Sequence, residues 1–173
     1  MPPRCDDTGT TTPDGAPNVA AMTTTVGTID ELHALSGQHL GYSDWHVIDQ
    51  AQVNLFADAT GDHQWIHVDP ERAASGPFGG AIAHGYLTLS IIPSILHEVV
   101  RVEGFKFGVN YGCNKVRFPA PVKVGSKLRL GAAVGSVENV GQDGVQVELD
   151  ITIETEGSDK PSCVAQVVYR YYF

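Results

Sequence analysis

Val145-Gln146-Val147-Glu148-Leu149-Asp150-Ile151-Thr152-Ile153-Glu154 alternates apolar and polar side chains without a break. Successive side chains of a strand point to opposite faces, so a period of two describes a strand with one face in a core and the other toward solvent. Turn-forming segments bracket it: Asn139-Val140-Gly141-Gln142-Asp143-Gly144 before, and Glu156-Gly157-Ser158-Asp159-Lys160-Pro161 after. They join it to the strand-like stretches Lys127–Val137 and Cys163–Tyr172, which predicts a long antiparallel meander. Phe105–Tyr111 and Lys115–Phe118 read as two further strands ahead of it.

Upstream the period changes. From Gly85 to Val100 the apolar residues Leu87, Leu89, Ile91, Ile92, Ile95, Leu96 and Val99 surround most of a helix instead of forming one stripe, which marks a buried helix. Pro93 lacks a backbone N–H, so it kinks this helix or divides it into two shorter pieces. Earlier still, Thr28 can cap a short helix over Ile29–Leu35, with Glu31 reaching back to complete a capping box and Gly37 ending it. Trp45–Ile48 reads as a first strand. Asp49 is a suitable N-cap for a helix that carries Val53, Leu55, Phe56 and Ala59 and runs out at Thr60-Gly61. Helices followed by consecutive strands make an α+β fold, a curved antiparallel sheet wrapped around the central apolar helix to bury its circumference.

The 173 residues suffice for one domain with a real core. Residues 1 to 24 are crowded with Thr, Pro, Gly and Asp and have no hydrophobic period, so they read as a disordered tail before a domain spanning 25–173. Met22 stands at the end of that tail and is a candidate start of translation. Twenty acidic residues against eleven basic ones give a net charge of -9, a field that repels nucleic acid and requires any anionic ligand to find a local basic patch. Cys5, Cys113 and Cys163 are far apart and odd in number, so neither a disulfide framework nor a zinc knuckle is indicated. No apolar run reaches the length of a membrane span or resembles a secretion signal, so a soluble cytoplasmic protein is expected, with no membrane partner.

The segment from Asp62 to Gly80 has little period and is long for a connection within one domain, as functional segments often are. At its start, Gly61-Asp62-His63-Gln64-Trp65-Ile66-His67-Val68-Asp69 concentrates histidines and carboxylates. Two readings of Asp62 and His67 stay open on spacing alone. In one, Asp62 caps the next turn and His67 is an ordinary satisfied histidine. In the other, a carboxylate and an imidazole converge to divide the proton transfers of a hydration, one taking a proton from water and the other orienting it. Downstream, Ile82-Ala83-His84-Gly85 leads into the apolar helix, where exposed amides can hold developing negative charge.

These residues carry a family resemblance: Gly61-Asp62 with His67 five residues after the Asp, then Pro77-Phe78-Gly79-Gly80-Ala81-Ile82-Ala83-His84-Gly85, then Val116-Arg117-Phe118-Pro119-Ala120-Pro121-Val122. In this order and spacing the chain resembles the MaoC-like, (R)-specific enoyl-CoA hydratases, including the branch named after nodulation protein N, over roughly residues 38 to 135. The resemblance implies a hotdog fold, and reversible hydration of a trans-2-enoyl-CoA to the (R)-3-hydroxyacyl-CoA, a lyase reaction of fatty-acid metabolism. It further implies Asp62 and His67 as the catalytic pair, the Gly85 amide as oxyanion donor to the thioester carbonyl, no cofactor, no metal, and a homodimer. Many members carry Asn and Pro where this chain has Gln64 and Trp65, two candidate pocket residues; Trp65 either walls the acyl pocket or covers core. Lys115 and Arg117 are candidates for the phosphates of coenzyme A, against the alternative of solvated strand charges. His63 is expected to face solvent. His84 is either a substrate-positioning group or a histidine satisfying a buried backbone group.

Three other functions compete. His63, His67 and Asp69 have the residue types of a metal hydrolase, but Gly61 before them and Pro70 after them oppose the single helix that site requires. A hotdog thioesterase would share fold and pocket while adding water to the carbonyl. A non-catalytic acyl-thioester-binding protein would bind without turnover. No G-x-S-x-G elbow and no phosphate-binding glycine loop is present in the sequence. The carrier of the acyl group is coenzyme A or an acyl carrier protein.

Overall fold

The computed structural model describes residues 23–173. Nearly all of the stretch read as a tail, and Met22 with it, lies outside the described residues. Its last residue, Thr24, already stands in a strand, which corrects that boundary. The elements run β1 (Thr24–Val26), α1 (Ile29–Ala34), β2 (His39–Tyr42), β3 (His46–Val47), α2 (Gln50–Thr60), α3 (Trp65–Val68), α4 (Pro70–Ala74), α5 (Gly85–Ser90), α6 (Ile92–Leu96), β4 (Val100–Val102), β5 (Phe107–Arg117), β6 (Lys127–Val140), β7 (Gly144–Thr155) and β8 (Cys163–Tyr172).

The meander is present as read. The main sheet is antiparallel, ordered β2-β6-β7-β8-β5, with β3 also pairing to β6. In β7, Val145, Val147, Leu149, Ile151 and Ile153 are all buried, and the intervening residues stay partly or fully exposed. Each such side chain stabilises the core by roughly 1.5–3 kcal/mol relative to exposure. On the other face Arg129 pairs with Glu154 directly across the β6–β7 ladder at 2.7 Å and lies over the rings of Tyr42 and Trp45.

The sheet curls over the apolar helical segment, and Leu87, Ile92, Ile95 and Leu96 enter one core with Leu128, Leu130, Ile151 and Ile153. This is the α+β arrangement expected. The helical segment is two pieces that meet at Ile91. Pro93 cannot donate to the Leu89 carbonyl, so the ladder is interrupted, and it resumes at Ile95, which donates to the Ile91 carbonyl.

Several boundaries differ from the sequence reading. Helix ends at Leu96, and Val100–Val102 leaves it to pair in parallel with Thr24–Val26; a Val-rich run favours extended chain once a partner strand is at hand. Phe105–Tyr111 and Lys115–Phe118 are not two strands. Apart from Phe105, Lys106 and Phe118 at the ends, they belong to the single β5, which stays paired with β8 through register irregularities between Asn110 and Gly112 and between Cys113 and Lys115. The first strand of the main sheet is His39–Tyr42, and Trp45–Ile48 contracts to the two residues of β3. The caps are where they were expected. Thr28 and Glu31 form the capping box of α1, Asp49 accepts from the Gln52 amide at the start of α2, and Gly61 ends α2 with φ 77°. Among the described residues no helix is long and apolar enough to cross a membrane.

Candidate active site

Gly61 is the pivot from which the site is built. Its left-handed conformation turns the chain out of α2, its amide donates to the Ala57 carbonyl at 2.8 Å, and Asp62 follows at once, exposed. The segment read as aperiodic then forms α3 and α4, too short for a hydrophobic period to register. Asp69 begins α4 by accepting from the Arg72 amide at 3.0 Å, the role of a helix cap. His63 faces solvent as expected, 3.7 Å from Asp58, which is exposed as well.

His67 on α3 is 7% exposed. Its Nδ1–H donates to the Ile82 carbonyl at 2.7 Å, and the Ile82 amide donates back to the Ile66 carbonyl at 3.0 Å. Gln50 on α2 holds the His67 carbonyl at 2.7 Å, so the residue is fixed by backbone and ring alike. With Nδ1 protonated and engaged, Nε2 carries the lone pair. Burial pushes the His67 pKa below its ordinary value; the Ile82 bond opposes that, His84 adds to it, and Asp62 opposes it. The imidazole is therefore held neutral at neutral pH.

Residues 81–83 lie beside 122–124: the Ala83 amide donates to Val122 and the Val124 amide to Ala81, with an antiparallel bridge at Ile82 and Lys123. His84 then turns the chain into α5 with extended backbone, φ -62° and ψ 139°. Gly85, first residue of α5, has no intrahelical acceptor for its N–H. A Cβ built there would lie 2.9 Å from the Phe118 ring, so the position admits only glycine while that ring stays in place. A carboxylate oxygen of Asp62 and one ring nitrogen each of His67 and His84 lie within 4.8 Å of one another. Asp and His are residue types that bind divalent metals; His67 Nδ1 and His84 Nε2 are bonded to backbone carbonyls, which leaves the lone pairs on His67 Nε2 and His84 Nδ1.

A cavity of about 330 Å³ opens beside His67. Its walls include Phe78, Ile82, Gly85, Thr88, Phe118 and Val122, a largely apolar lining next to a few polar groups. Phe118, Thr88 and Ser162 are lining residues that sequence reasoning missed, since nothing local in the strand or helix pattern says which face opens onto a void. Gln64 and Trp65 do not line this cavity. Gln64 is exposed, and Trp65 covers Gly76, where a Cβ would meet the indole at 3.0 Å, with the Arg72 guanidinium 4.4 Å above its ring. Lys115 and Arg117 share one face of β5, both exposed, with Arg117 donating to the Val116 carbonyl next to it. Arg117 immediately precedes Phe118 of the cavity wall.

A curled antiparallel sheet around a short buried helix is a hotdog-type frame, and here a carboxylate and a neutral imidazole converge at the start of that helix. The MaoC like domain family matches residues 31–156, wider at both ends than the motif span. The chain is 54% identical over 147 residues to 3-hydroxyacyl-thioester dehydratase Z of Mycobacterium tuberculosis, covering 85% of this chain and 97% of that one. It is 43% identical over 131 residues to nodulation protein N of Rhizobium leguminosarum, covering 75% and 81%. The solved R-hydratase PhaJ1 of Pseudomonas aeruginosa superposes with a TM-score of 0.59 at 25% identity, over 78% of this chain and 79% of that one. The chain belongs to the MaoC-like family.

Proposed function

We propose that the protein is a 3-hydroxyacyl-thioester dehydratase, a lyase that catalyses reversible hydration of a trans-2-enoyl-CoA to the (R)-3-hydroxyacyl-CoA in fatty-acid metabolism. The observation that carries this is the convergence of the Asp62 carboxylate with the neutral His67 ring at the start of α5. Identity of 54% across nearly the whole length of a named dehydratase supports the same chemistry.

In this mechanism the thioester carbonyl accepts from the Gly85 N–H, which draws electron density from the third carbon and stabilises the enolate that forms. A water sits between Asp62 and His67. Its oxygen bonds to the third carbon while the Asp62 carboxylate takes one of its protons, and His67 Nε2 accepts a hydrogen bond from the other. Because His67 has committed its only N–H to Ile82, it holds no proton of its own to give at Nε2. The proton delivered to the second carbon is thus the one the pair removed from water, and the net change is addition of H and OH across the double bond. Each step uses only side chains and backbone of this chain.

The domain that begins with β1 is the working unit. It acts in the cytoplasm as a homodimer: β5 is a long edge strand whose outer positions expose Phe107, Val109 and Tyr111, a surface that water does not favour. Lys115 and Arg117 on this strand, next to the cavity wall, offer the local positive charge that a coenzyme A phosphate needs in a chain of net charge -9.

The test is a panel of enoyl-CoA and enoyl-acyl-carrier-protein substrates of increasing chain length, with chiral analysis of the product. Loss of enoyl absorbance without thiol release, giving the (R)-3-hydroxyacyl product, is the expected result. Release of free coenzyme A points instead to a thioesterase, and binding without turnover to a non-catalytic carrier. A monomer by light scattering contradicts the dimer.

A further inference from the structure

His84 makes more contacts to the site than its position outside the catalytic pair requires. The residue is 3% exposed, and its Nε2–H donates to the Asp62 backbone carbonyl at 2.9 Å. Its ring stacks on the His67 imidazole, with centroids 3.8 Å apart and planes inclined by 27°, and the Phe56 ring packs against it at 5.1 Å. It also contributes the carbonyl half of the peptide unit whose N–H belongs to Gly85, so its φ and ψ aim that N–H. One residue thus touches the loop that carries the carboxylate, the ring that orients water, and the amide assigned to the thioester carbonyl.

The remaining nitrogen of this ring, Nδ1, is buried and meets no hydrogen-bond partner among the described residues. A buried polar atom without a partner is destabilising and calls for an explanation. Phe or Leu would fill the same space without it, so packing alone does not explain a histidine here. What histidine supplies is a flat ring for the stack together with an N–H at the reach needed to hold the Asp62 carbonyl.

We infer that His84 is a positioning residue for the hydration, fixing the separation of Asp62 from His67 through the Asp62 carbonyl and the ring stack. The inference rests on the dehydratase reading given above. Asp62 is otherwise exposed on a turn after a helix end, and nothing else described holds its carbonyl. Misplacement of a reacting group by about 1 Å costs on the order of 10²-fold in rate.

His84→Gln and His84→Asn separate this from a packing role. A glutamine amide nitrogen reaches the place of imidazole Nε2, whereas that of asparagine reaches only the place of Nδ1. The expected result is that His84→Asn loses on the order of 100-fold in kcat with little change in KM, while His84→Gln recovers most of it, to within about 10-fold of wild type. His84→Phe keeps the stack and the volume but lacks the donor; it is expected to show the same loss in kcat and replaces His84→Asn should that variant fail to fold. Equal activity of the Gln, Asn and Phe variants, or a loss confined to KM, overturns the proposal.

An imidazole nitrogen NMR spectrum reads the same contact without catalysis. In the wild type His67 should show a single Nδ1–H tautomer and His84 a single Nε2–H tautomer. In His84→Phe the His67 signals should broaden or shift as the pair loosens, and unchanged His67 signals with unchanged Asp62 amide shifts contradict the positioning role. Failure of the wild type to hydrate any enoyl thioester would sink the dehydratase reading, while the spectrum still decides what His84 does.

Discussion

The sheet and the segment from Asp62 to Gly85 hold their residues in place by different means. In β7 each side chain is positioned by the strand period and by burial, so Val145 through Ile153 need only be apolar and of fitting size. In the site, position comes from particular hydrogen bonds between distant parts of the chain: Gln50 to the His67 carbonyl, His67 to the Ile82 carbonyl, His84 to the Asp62 carbonyl. The sheet therefore tolerates changes of detail but not of polarity, whereas the site tolerates neither. Changes in the sheet should appear in stability, and changes in the site in rate.

The largest effect expected lies in the sheet. Ile151 is fully buried at the centre of β7, and Ile151→Asp places a carboxylate where nothing can pair it. The expected outcome is loss of folded, soluble protein by circular dichroism and gel filtration. A folded Ile151→Asp protein would break the contrast. Next is Gly85→Ala, where the new Cβ meets the Phe118 ring and moves either the ring or the amide. Its kcat should fall on the order of 10- to 100-fold with the fold retained. Gly27→Ala, whose Cβ meets nothing nearer than 4.0 Å, serves as the control and should match wild type.

A smaller effect follows from His67 itself. Its folded pKa lies below the ordinary value of 6.5, chiefly because the ring is buried. Between the folded and unfolded values the unfolded chain binds more protons, so this contribution to stability is full above about 6.5 and is lost as pH falls through the folded pKa. Urea unfolding at several pH values should show the wild type losing more stability on acidification than His67→Gln, and the acid limb of kcat/KM should lie below 6.5. A His67→Gln protein with the same acid sensitivity as wild type would contradict the assignment.

The same contrast explains what was legible in the sequence. The period of β7, the caps at Thr28 and Asp49, and the end of α2 at Gly61 are local patterns and could be read directly. Asp62 and His67 became a pair only through their spacing ahead of Ala83-His84-Gly85 and the family that this order resembles. β1 with β4, and β2 with β6, are pairings between remote segments that leave no local signature, and Val100–Val102 passed for the end of a helix for that reason. Spacing alone leaves Trp65 either a pocket wall or a cover for core, and only the turn of α3 that lays its ring on Gly76 decides for the second. The neighbours of His84 were equally hidden, since its bond to Asp62 spans 22 residues and its stack on His67 depends on the meeting of α3 with α5.

The central claim is that Asp62 and His67 carry the chemistry without carrying the fold. The most direct measurement is the rate of crotonyl-CoA hydration, followed by loss of enoyl absorbance, for wild type, Asp62→Asn and His67→Gln proteins whose folding has been verified by thermal melting. The account predicts an active wild type and a loss of roughly 10²-fold or more in kcat for each variant at nearly unchanged melting temperature. Full activity in both folded variants, or a wild type inactive on every enoyl thioester tried, would contradict it.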